Sequence, residues 1–260
     1  MNQKLAGKIA LVTGGSAGIG LGAAKRFAAE GARVFITGRD PAKLALATAE
    51  IGHGAIGLQG DSSNLADIDR IYATIREEAG HLDVLLVNAG FYEFGTFGEI
   101  TEDHFDKTFN TNVRGVLFAV QKALPLLPNG ASVILTGSIA SNKGFPSFSV
   151  YNASKAFVVS FTQALQGEVA GSGVLVQVVT PPAVDTDFWN KAGLPVSNLP
   201  AGSVMKPQHM VDAALKGLDR GESWVFPSLP DQALWNDYEK SRQALVGGLM
   251  NGAPAVRYAA

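Results

Sequence analysis

Short, almost continuously apolar runs recur along the chain and alternate with longer stretches of helical periodicity. A strand that buries only one face alternates apolar and polar side chains, so continuous runs predict strands that are covered on both faces. Such strands are typical of parallel sheets, because the connecting helices lie on both sides of the sheet. Seven runs fit this description: residues 9–12, 34–36, 56–58, 84–87, 133–135, 174–179 and 224–226.

Helical patterns fill the intervals between these strands, at residues 19–30, 40–51, 63–79, 101–118, 150–170 and 207–218. Gly31 marks the end of the first helix, and Asp40 before Pro41 marks the start of the second, since aspartate caps helices and proline suits the first turn. The alternation predicts a single α/β domain over residues 1–260, built on a doubly wound, seven-stranded parallel sheet of the Rossmann type.

Two segments fall outside this alternation. Residues 187–205 are rich in proline and glycine, and we expect a substrate loop with short helical pieces beside the strand ends. Residues 231–260 form a C-terminal tail with several large apolar side chains, which we expect either to cover the site or to pack on another subunit.

Composition narrows the classes of function. The net charge is -2 and the basic residues form no stripe, so no nucleic-acid partner is expected. No apolar run approaches the ~18 residues of a membrane span and no targeting segment precedes the first strand, which predicts a cytoplasmic protein without a membrane partner. Cysteine is absent, which excludes a thiol nucleophile. We expect surface or capping histidines and no catalytic metal, because no ligand spacing connects His53, His81, His104 and His209.

A glycine-rich turn, Thr13-Gly14-Gly15-Ser16-Ala17-Gly18-Ile19-Gly20, follows the first strand and opens the first helix. Glycines allow a pyrophosphate to approach the backbone, and the helix N-terminus supplies free N–H groups and partial positive charge. Glycines alone would indicate only a turn with positive φ, but the strand before and the helix after favour dinucleotide binding, although the spacing is wider than the usual fingerprint. The candidate cofactor-binding residues here are Gly14, Ser16, Gly18, Ile19 and Gly20.

Arg39, directly after the second strand, bears on the choice of cofactor. NAD enzymes usually place an acid there for the ribose 2′-hydroxyl, and no acid precedes Asp40. A guanidinium can instead bind a 2′-phosphate with two hydrogen bonds. The sequence therefore favours NADP(H) over NAD(H), with a solvated loop arginine as the alternative.

The most informative stretch is Tyr151-Asn152-Ala153-Ser154-Lys155. Residues four apart share a helix face, so the phenol and the ammonium are expected to point into the same space. We predict that this ammonium and an oxidised nicotinamide lower the pKa of Tyr151 from its usual value of about 10. Ser138, just beyond the strand 133–135, can hold a substrate oxygen. Most Tyr-x-x-x-Lys pairs are surface pairs, but the upstream glycine turn and serine favour a catalytic pair here.

With these residues in place, the chain from about residue 8 to 226 resembles the classical short-chain dehydrogenase/reductase family. Its glycine motif matches Thr13, Gly14, Gly18 and Gly20, and its catalytic serine, tyrosine and lysine match Ser138, Tyr151 and Lys155. The resemblance implies further cofactor and catalytic positions: Asp61 with Ser62 at the adenine, the Asn88-Ala89-Gly90 element, the catalytic Asn112, Pro181 after the sixth strand, and Thr186 at the nicotinamide amide.

The resemblance also implies a division of labour. Tyr151 would exchange a proton with the substrate oxygen, which Ser138 would also hydrogen-bond. Lys155 would bind the nicotinamide ribose, and Asn112 would hold a water through its backbone. The family is commonly homotetrameric. Pro182 departs from the family's glycine and puts in doubt the path of the chain towards Thr186, since proline cannot adopt positive φ; Val87 departs from its asparagine, where we expect only a packing change.

Aromatic residues in three segments are expected to form an apolar pocket: Phe91, Tyr92, Phe94, Phe97, Phe145, Phe148, Phe188 and Trp189. The alternative is that half of them only pack loops against the core or a neighbouring subunit. The small-molecule substrate is therefore expected to be a hydrophobic ketone or secondary alcohol. One alternative is a 3-oxoacyl thioester reductase, which would need a basic patch beside the pocket. The other is a non-catalytic dinucleotide-binding scaffold, which would have no need of the complete catalytic set.

Overall fold

The computed structural model describes residues 3–191 and 193–258. Its strands are β1 (Ile9–Val12), β2 (Arg33–Gly38), β3 (Ile56–Gln59), β4 (Val84–Val87), β5 (Ser132–Thr136), β6 (Leu175–Val179), β7 (Ala183–Val184), β8 (Val204–Met205) and β9 (Trp224–Val225). Seven of them form one sheet in the order β3-β2-β1-β4-β5-β6-β9, and every pairing is parallel. The predicted seven-stranded Rossmann-type sheet is confirmed.

The helices are α1 (Gly18–Ala29), α2 (Pro41–Ile51), α3 (Leu65–Ala79), α4 (Glu102–Phe109), α5 (Gly115–Ala123), α6 (Ser149–Val169), α7 (Asp187–Lys191), α8 (Pro207–Asp219) and α9 (Gln232–Leu249). The predicted cap at Asp40 is confirmed, because its side chain accepts hydrogen bonds from the Ala42 and Lys43 N–H groups. Asn64 caps α3 in the same way.

Two apolar cores cover the sheet, one on each face. Leu11 and Leu85 point into the core beneath α3, α5 and α6, whereas Val12 and Leu86 point into the core beneath α1, α2 and α8. Successive side chains of a strand point to opposite faces, so both sets must be apolar when both faces are buried. This arrangement explains the unbroken apolar runs from which the sheet was predicted.

The chain divides into two compact units, one that ends at Pro227 and one that begins at Ser228. The second unit contains α9, which is capped by the Asp231 side chain and buries none of its residues. This helix was not predicted from the sequence. Within the described ranges, no helix is long and apolar enough to cross a membrane.

The predicted helix over residues 101–118 differs from the observed structure. The observed helical segment continues to Ala123, and a π-helical turn at Asn110–Arg114 separates α4 from α5. The Gly115 N–H bonds back to the Asn110 carbonyl, five residues earlier, so one extra residue is accommodated without breaking the helix. His104, which was expected at the surface or as a cap, is instead buried in the first turn of α4, and the cap is Thr101.

Segment 187–205 has the predicted short helical pieces, α7 and a 3₁₀ turn at Val196–Asn198. Its end also pairs with the chain just before it, since β7 and β8 form a separate two-stranded parallel sheet. Strands of two residues carry no periodic signal, so this pairing could not be predicted from the sequence.

Two glycine substitutions test the close approach of α5 to the loop after β3. A Cβ on Gly115 would lie 2.3 Å from the Ser62 carbonyl oxygen, whereas a Cβ on the exposed Gly167 in α6 would meet nothing within 4 Å. We expect Gly115→Ala to lower the free energy of unfolding by about 1–3 kcal/mol through overpacking. Gly167→Ala should raise it by about 0.5–1 kcal/mol through helix propensity. Urea unfolding measures both, and equal effects would contradict the proposed contact.

Candidate active site

The strand order reverses between β1 and β4, where sheets of this kind bind ligands at the carboxyl ends of their strands. A cleft of about 720 Å³ opens there. Fifteen of the seventeen predicted site residues line it: Gly14, Ser16, Gly18, Ile19, Arg39, Asp61, Ser62, Asn88, Ala89, Gly90, Ser138, Tyr151, Lys155, Pro181 and Thr186. The other two, Gly20 and Asn112, are buried outside the lining.

The glycine turn packs tightly against the opposite side of the cleft. Gly14 and Gly18 have φ values of +65° and +55°, which favour glycine. A Cβ on Gly14 would lie 2.9 Å from Ala89 Cα, and one on Gly18 would lie 3.0 Å from the Thr186 methyl carbon. The turn leads directly into α1, whose N-terminal N–H groups suit an anion. These residues fit the pyrophosphate of a dinucleotide.

Two threonines that were not predicted as site residues hold this turn in place. Thr13 Oγ1 accepts hydrogen bonds from the Asn88 and Ala89 N–H groups at 2.9 and 3.1 Å. Thr37 Oγ1 accepts one from the Gly14 N–H at 3.2 Å, and its carbonyl accepts one from the Gly15 N–H. The ends of β1, β2 and β4 are therefore joined by side-chain hydroxyls. Thr13 was visible in the glycine motif, whereas Thr37 gave no sequence signal.

Arg39 and Asp61 face each other at one end of the cleft. The Arg39 side chain is 72% exposed, and its Nη1 lies 3.9 Å from Asp61 Oδ2. Asp61 Oδ1 accepts hydrogen bonds from the N–H and hydroxyl of Ser63, so the carboxylate is held in place while the guanidinium stays accessible. Arg33, at the opposite end of β2, pairs with Glu78 instead.

Tyr151 and Ser138 meet at the other end of the cleft. Ser138 lies two residues after the end of β5 and caps a short 3₁₀ turn, while Tyr151 lies in the first turn of α6. Burial raises the pKa of Tyr151 to about 12, although a hydrogen bond with Ser138 opposes this effect. Burial therefore dominates in the chain alone, and the lowering of the Tyr151 pKa beside an oxidised nicotinamide stays a prediction.

Lys155 is buried beside Tyr151. Its Nζ lies 5.8 Å from the Tyr151 ring centroid and donates a hydrogen bond to the Thr136 carbonyl at 2.8 Å. The residue is only 5% exposed, and burial lowers the pKa of its ammonium to about 8. The two side chains share one helix face, and loss of water shifts both groups towards their neutral forms.

Asn112 lies in the π-helical turn and is fully buried. Its amide exchanges two hydrogen bonds with the Phe91 backbone, each 2.8 Å long, and also donates to Ser154 Oγ at 3.0 Å. The side chain therefore fixes the loop after β4 against α6, the helix that carries Tyr151 and Lys155.

Pro182 does not prevent the chain after β6 from bringing Thr186 to the glycine turn. The Pro181 carbonyl accepts a hydrogen bond from the Ile139 N–H, and the chain then forms β7 and brings the Thr186 methyl against Gly18. The Thr186 hydroxyl donates to the Val184 carbonyl at 3.3 Å. Pro182 lines the cleft on this path.

Six of the eight predicted aromatic residues line the cleft: Phe91, Tyr92, Phe145, Phe148, Phe188 and Trp189. Tyr92 is at the centre, with ring centroids 5.0 Å from Phe148 and 5.1 Å from Tyr151. The other two predictions are corrected. Phe97 is 85% exposed in a 3₁₀ turn, and Phe94 is half-exposed and packs edge-on against Phe148 from outside the lining.

Comparison with known proteins finds clear relatives of this chain. Residues 8–195 match the short chain dehydrogenase family. Oxidoreductase asL5 of Sarocladium schorii is 42% identical over 192 residues, which cover 73% of this chain and 77% of that protein.

Two solved structures extend the likeness over 97% of the chain. A short-chain dehydrogenase from Sphingobium yanoikuyae in complex with NADPH has a TM-score of 0.90 and 31% identity, with all of its own chain covered. The bulky-bulky ketone specific alcohol dehydrogenase from Comamonas testosteroni has a TM-score of 0.86 and 27% identity, with 99% covered.

The buried ammonium of Lys155 predicts a pH-dependent stability. Its pKa of about 8 lies below the value of about 10.4 in an unfolded chain, so burial destabilises the fold below pH 8 and this penalty disappears as the pH rises towards 10.4. Relative to Lys155→Met, the parent should gain about 3 kcal/mol of unfolding free energy over this range. Urea unfolding at pH 7, 8.5 and 10 measures the difference. A difference that does not change with pH would show that the ammonium is not desolvated.

Proposed function

Because the chain belongs to the short-chain dehydrogenase/reductase family and is thus an oxidoreductase, we propose that it interconverts a hydrophobic ketone and a secondary alcohol with NADP(H). The observation that carries this proposal is the Tyr151 phenol, hydrogen-bonded to Ser138 between aromatic side chains and in the same cleft as the glycine turn. A substrate oxygen at this point can contact both hydroxyls.

The two hydroxyls have different tasks in the proposed reaction. Because the pKa of Tyr151 is about 12, the phenol is protonated at neutral pH and can donate its proton to the carbonyl oxygen during reduction. Ser138 donates a hydrogen bond to the same oxygen and fixes its position. In oxidation Tyr151 accepts the alcohol proton instead. The bound dinucleotide supplies or accepts the hydride, and the chain supplies geometry.

Lys155 affects the ionisation of Tyr151 across the same space. A pKa of about 8 leaves a substantial charged fraction at neutral pH, and the buried charge favours the phenolate that oxidation requires. Its hydrogen bond to the Thr136 carbonyl holds the ammonium at the floor of the cleft. Asn112 acts indirectly, since it fixes α6 and the loop after β4.

Arg39 supports NADP(H). Its exposed guanidinium lines the cleft, and the residue stands where NAD enzymes usually carry an acid. The Sphingobium yanoikuyae enzyme, which this chain resembles along almost its whole length, binds NADPH. A 2′-phosphate carries two negative charges near neutrality and would compete effectively with Asp61 for the guanidinium.

Support for a hydrophobic substrate comes from the aromatic lining and from the ketone specificity of the Comamonas testosteroni enzyme. Among the described lining residues, Arg39 and Lys155 are the only lysines or arginines, so the cleft itself offers little positive charge to a phosphopantetheine carrier. The thioester reductase is therefore less favoured, as is a non-catalytic scaffold, because Ser138, Tyr151 and Lys155 share one cleft.

The proposed assembly is a homotetramer. Its support is two aromatic pairs that remain partly exposed, Phe105–Phe109 on α4 and Phe157–Phe161 on α6.

The cytoplasmic location expected from the sequence stays a prediction.

Tyr151→Phe tests the proton-transfer role. We expect kcat for reduction of a hydrophobic ketone to fall by about 10²–10⁴-fold, because the variant has no proton to donate. NADPH affinity, followed by fluorescence titration, should change little, since the ring is retained. Full turnover by this variant would sink the assignment of Tyr151.

Arg39→Ala tests the choice of cofactor. The Kd for NADPH should rise at least about ten-fold, whereas the Kd for NADH should change less, because a charge-assisted pair with the phosphate contributes about 1.5–3 kcal/mol. Arg220→Ala is a matched control, since this arginine is 70% exposed and lies outside the cleft. Equal losses for both cofactors would refute contact with the 2′-phosphate.

A further inference from the structure

Tyr92 is a buried phenol at the centre of the aromatic lining. It follows Asn88-Ala89-Gly90 at the end of β4 and is only 5% exposed. Phe148 stacks on its ring almost in parallel, with an interplanar angle of 7°. Phe188 and Trp189 lie 6.0 and 6.1 Å away between ring centroids, and Tyr151 lies 5.1 Å away. The ring therefore packs beside the proposed proton donor.

The Tyr92 hydroxyl has no hydrogen-bond partner among the described residues, although it is buried. A buried hydroxyl without a partner is destabilising, and phenylalanine would fill the same space without that penalty. Burial is the main cause that raises the pKa of this phenol, and the neighbouring Tyr151 adds to the effect. The hydroxyl therefore remains a protonated donor at neutral pH. Packing accounts for the ring of Tyr92 but not for its oxygen.

Another buried tyrosine shows the usual arrangement. Tyr72 in α3 is 4% exposed, and its hydroxyl donates to the Ala119 carbonyl at 2.6 Å. Because that hydroxyl already donates its proton within the core, it has none free to donate to a ligand. Tyr92 differs in two respects, since it lacks such a partner and lines the cleft.

The loop that places Phe148 over Tyr92 is held in an unusual conformation. Ser147 has φ of +64°, a region that residues other than glycine rarely adopt. Asn152 Nδ2 donates to the Phe145 carbonyl at 3.0 Å and ties this loop to the first turn of α6. Strain of this kind persists where the surrounding structure enforces it, often beside a ligand. This loop therefore places Phe148 against the Tyr92 ring.

On the basis of the proposed function, we propose that Tyr92 determines specificity by donating a hydrogen bond to a second oxygen of the substrate. The substrate class is a flat aromatic ketone, or the corresponding alcohol, with an oxygen substituent on its ring. Its ring would pack among the aromatic side chains while its carbonyl oxygen meets Tyr151 and Ser138. The ring oxygen would then give the Tyr92 hydroxyl the partner that the chain does not supply.

The test uses acetophenone and its three ring-hydroxylated isomers, with saturating NADPH. For the parent enzyme, kcat/KM should be higher for at least one isomer than for acetophenone. In Tyr92→Phe, the ratio of kcat/KM for that isomer to kcat/KM for acetophenone should fall at least about ten-fold, because a site built for a polar group discriminates strongly against its absence. Comparison of ratios cancels the intrinsic reactivity of each ketone.

Tyr72→Phe is the matched control. It should lower Tm, because the hydrogen bond from Tyr72 to the Ala119 carbonyl is lost, and should leave the substrate ratio unchanged. Tyr92→Phe should show a Tm equal to or above that of the parent. A lower Tm in Tyr92→Phe would show that the hydroxyl already has a structural partner.

The outcomes separate the two proposals. A parent enzyme that reduces acetophenones without preferring any hydroxylated isomer, or a ratio that is unchanged in Tyr92→Phe, overturns the role of Tyr92 and leaves the proposed function standing. A parent enzyme that reduces no ketone of a broader hydrophobic panel overturns the proposed function, and the role of Tyr92 falls with it.

Discussion

The site depends on a small set of hydrogen bonds that join three neighbouring strands at their carboxyl ends. Thr13 ties the end of β1 to Asn88 and Ala89 after β4, and Thr37 ties β2 to the glycine turn. The glycines of the turn can then approach these segments at distances that a Cβ would not allow. The cleft, the start of α1 and the direction of the loop after β4 all follow from this junction.

The sequence was sufficient to predict the features that follow from local pattern. Continuous apolar runs identified the parallel sheet, and glycine spacing with the Tyr151–Lys155 interval identified the cleft. Features that depend on tertiary burial could not be read in this way. The pKa of Tyr151 rises because the fold removes water, and His104 is buried although its segment is largely polar. Phe97 points to solvent, although its segment is as rich in aromatic residues as those that line the cleft.

Burial affects the two titrating groups of the site in a complementary way. It disfavours the phenolate of Tyr151 and the ammonium of Lys155, so both groups shift towards their neutral forms. The chain alone therefore holds a proton on oxygen, ready for donation to a carbonyl. A bound positive nicotinamide would shift this balance towards phenolate, which is the state that oxidation of an alcohol requires. The same residues can thus serve both directions of the proposed reaction.

The π-helical turn at Asn110–Arg114 has a consequence for how the chain can vary in length. It contains one residue more than a regular helix would, and its extra residue sets the direction in which α5 leaves. Deletion of a single residue there would restore ordinary helical bonding and rotate α5 about its axis by about 100°. Gly115 would then no longer face Ser62, and the Asn112 amide would leave Phe91. Changes in length are thus tolerated far better in exposed loops away from the cleft than in this helical segment, where one residue sets the orientation of α5.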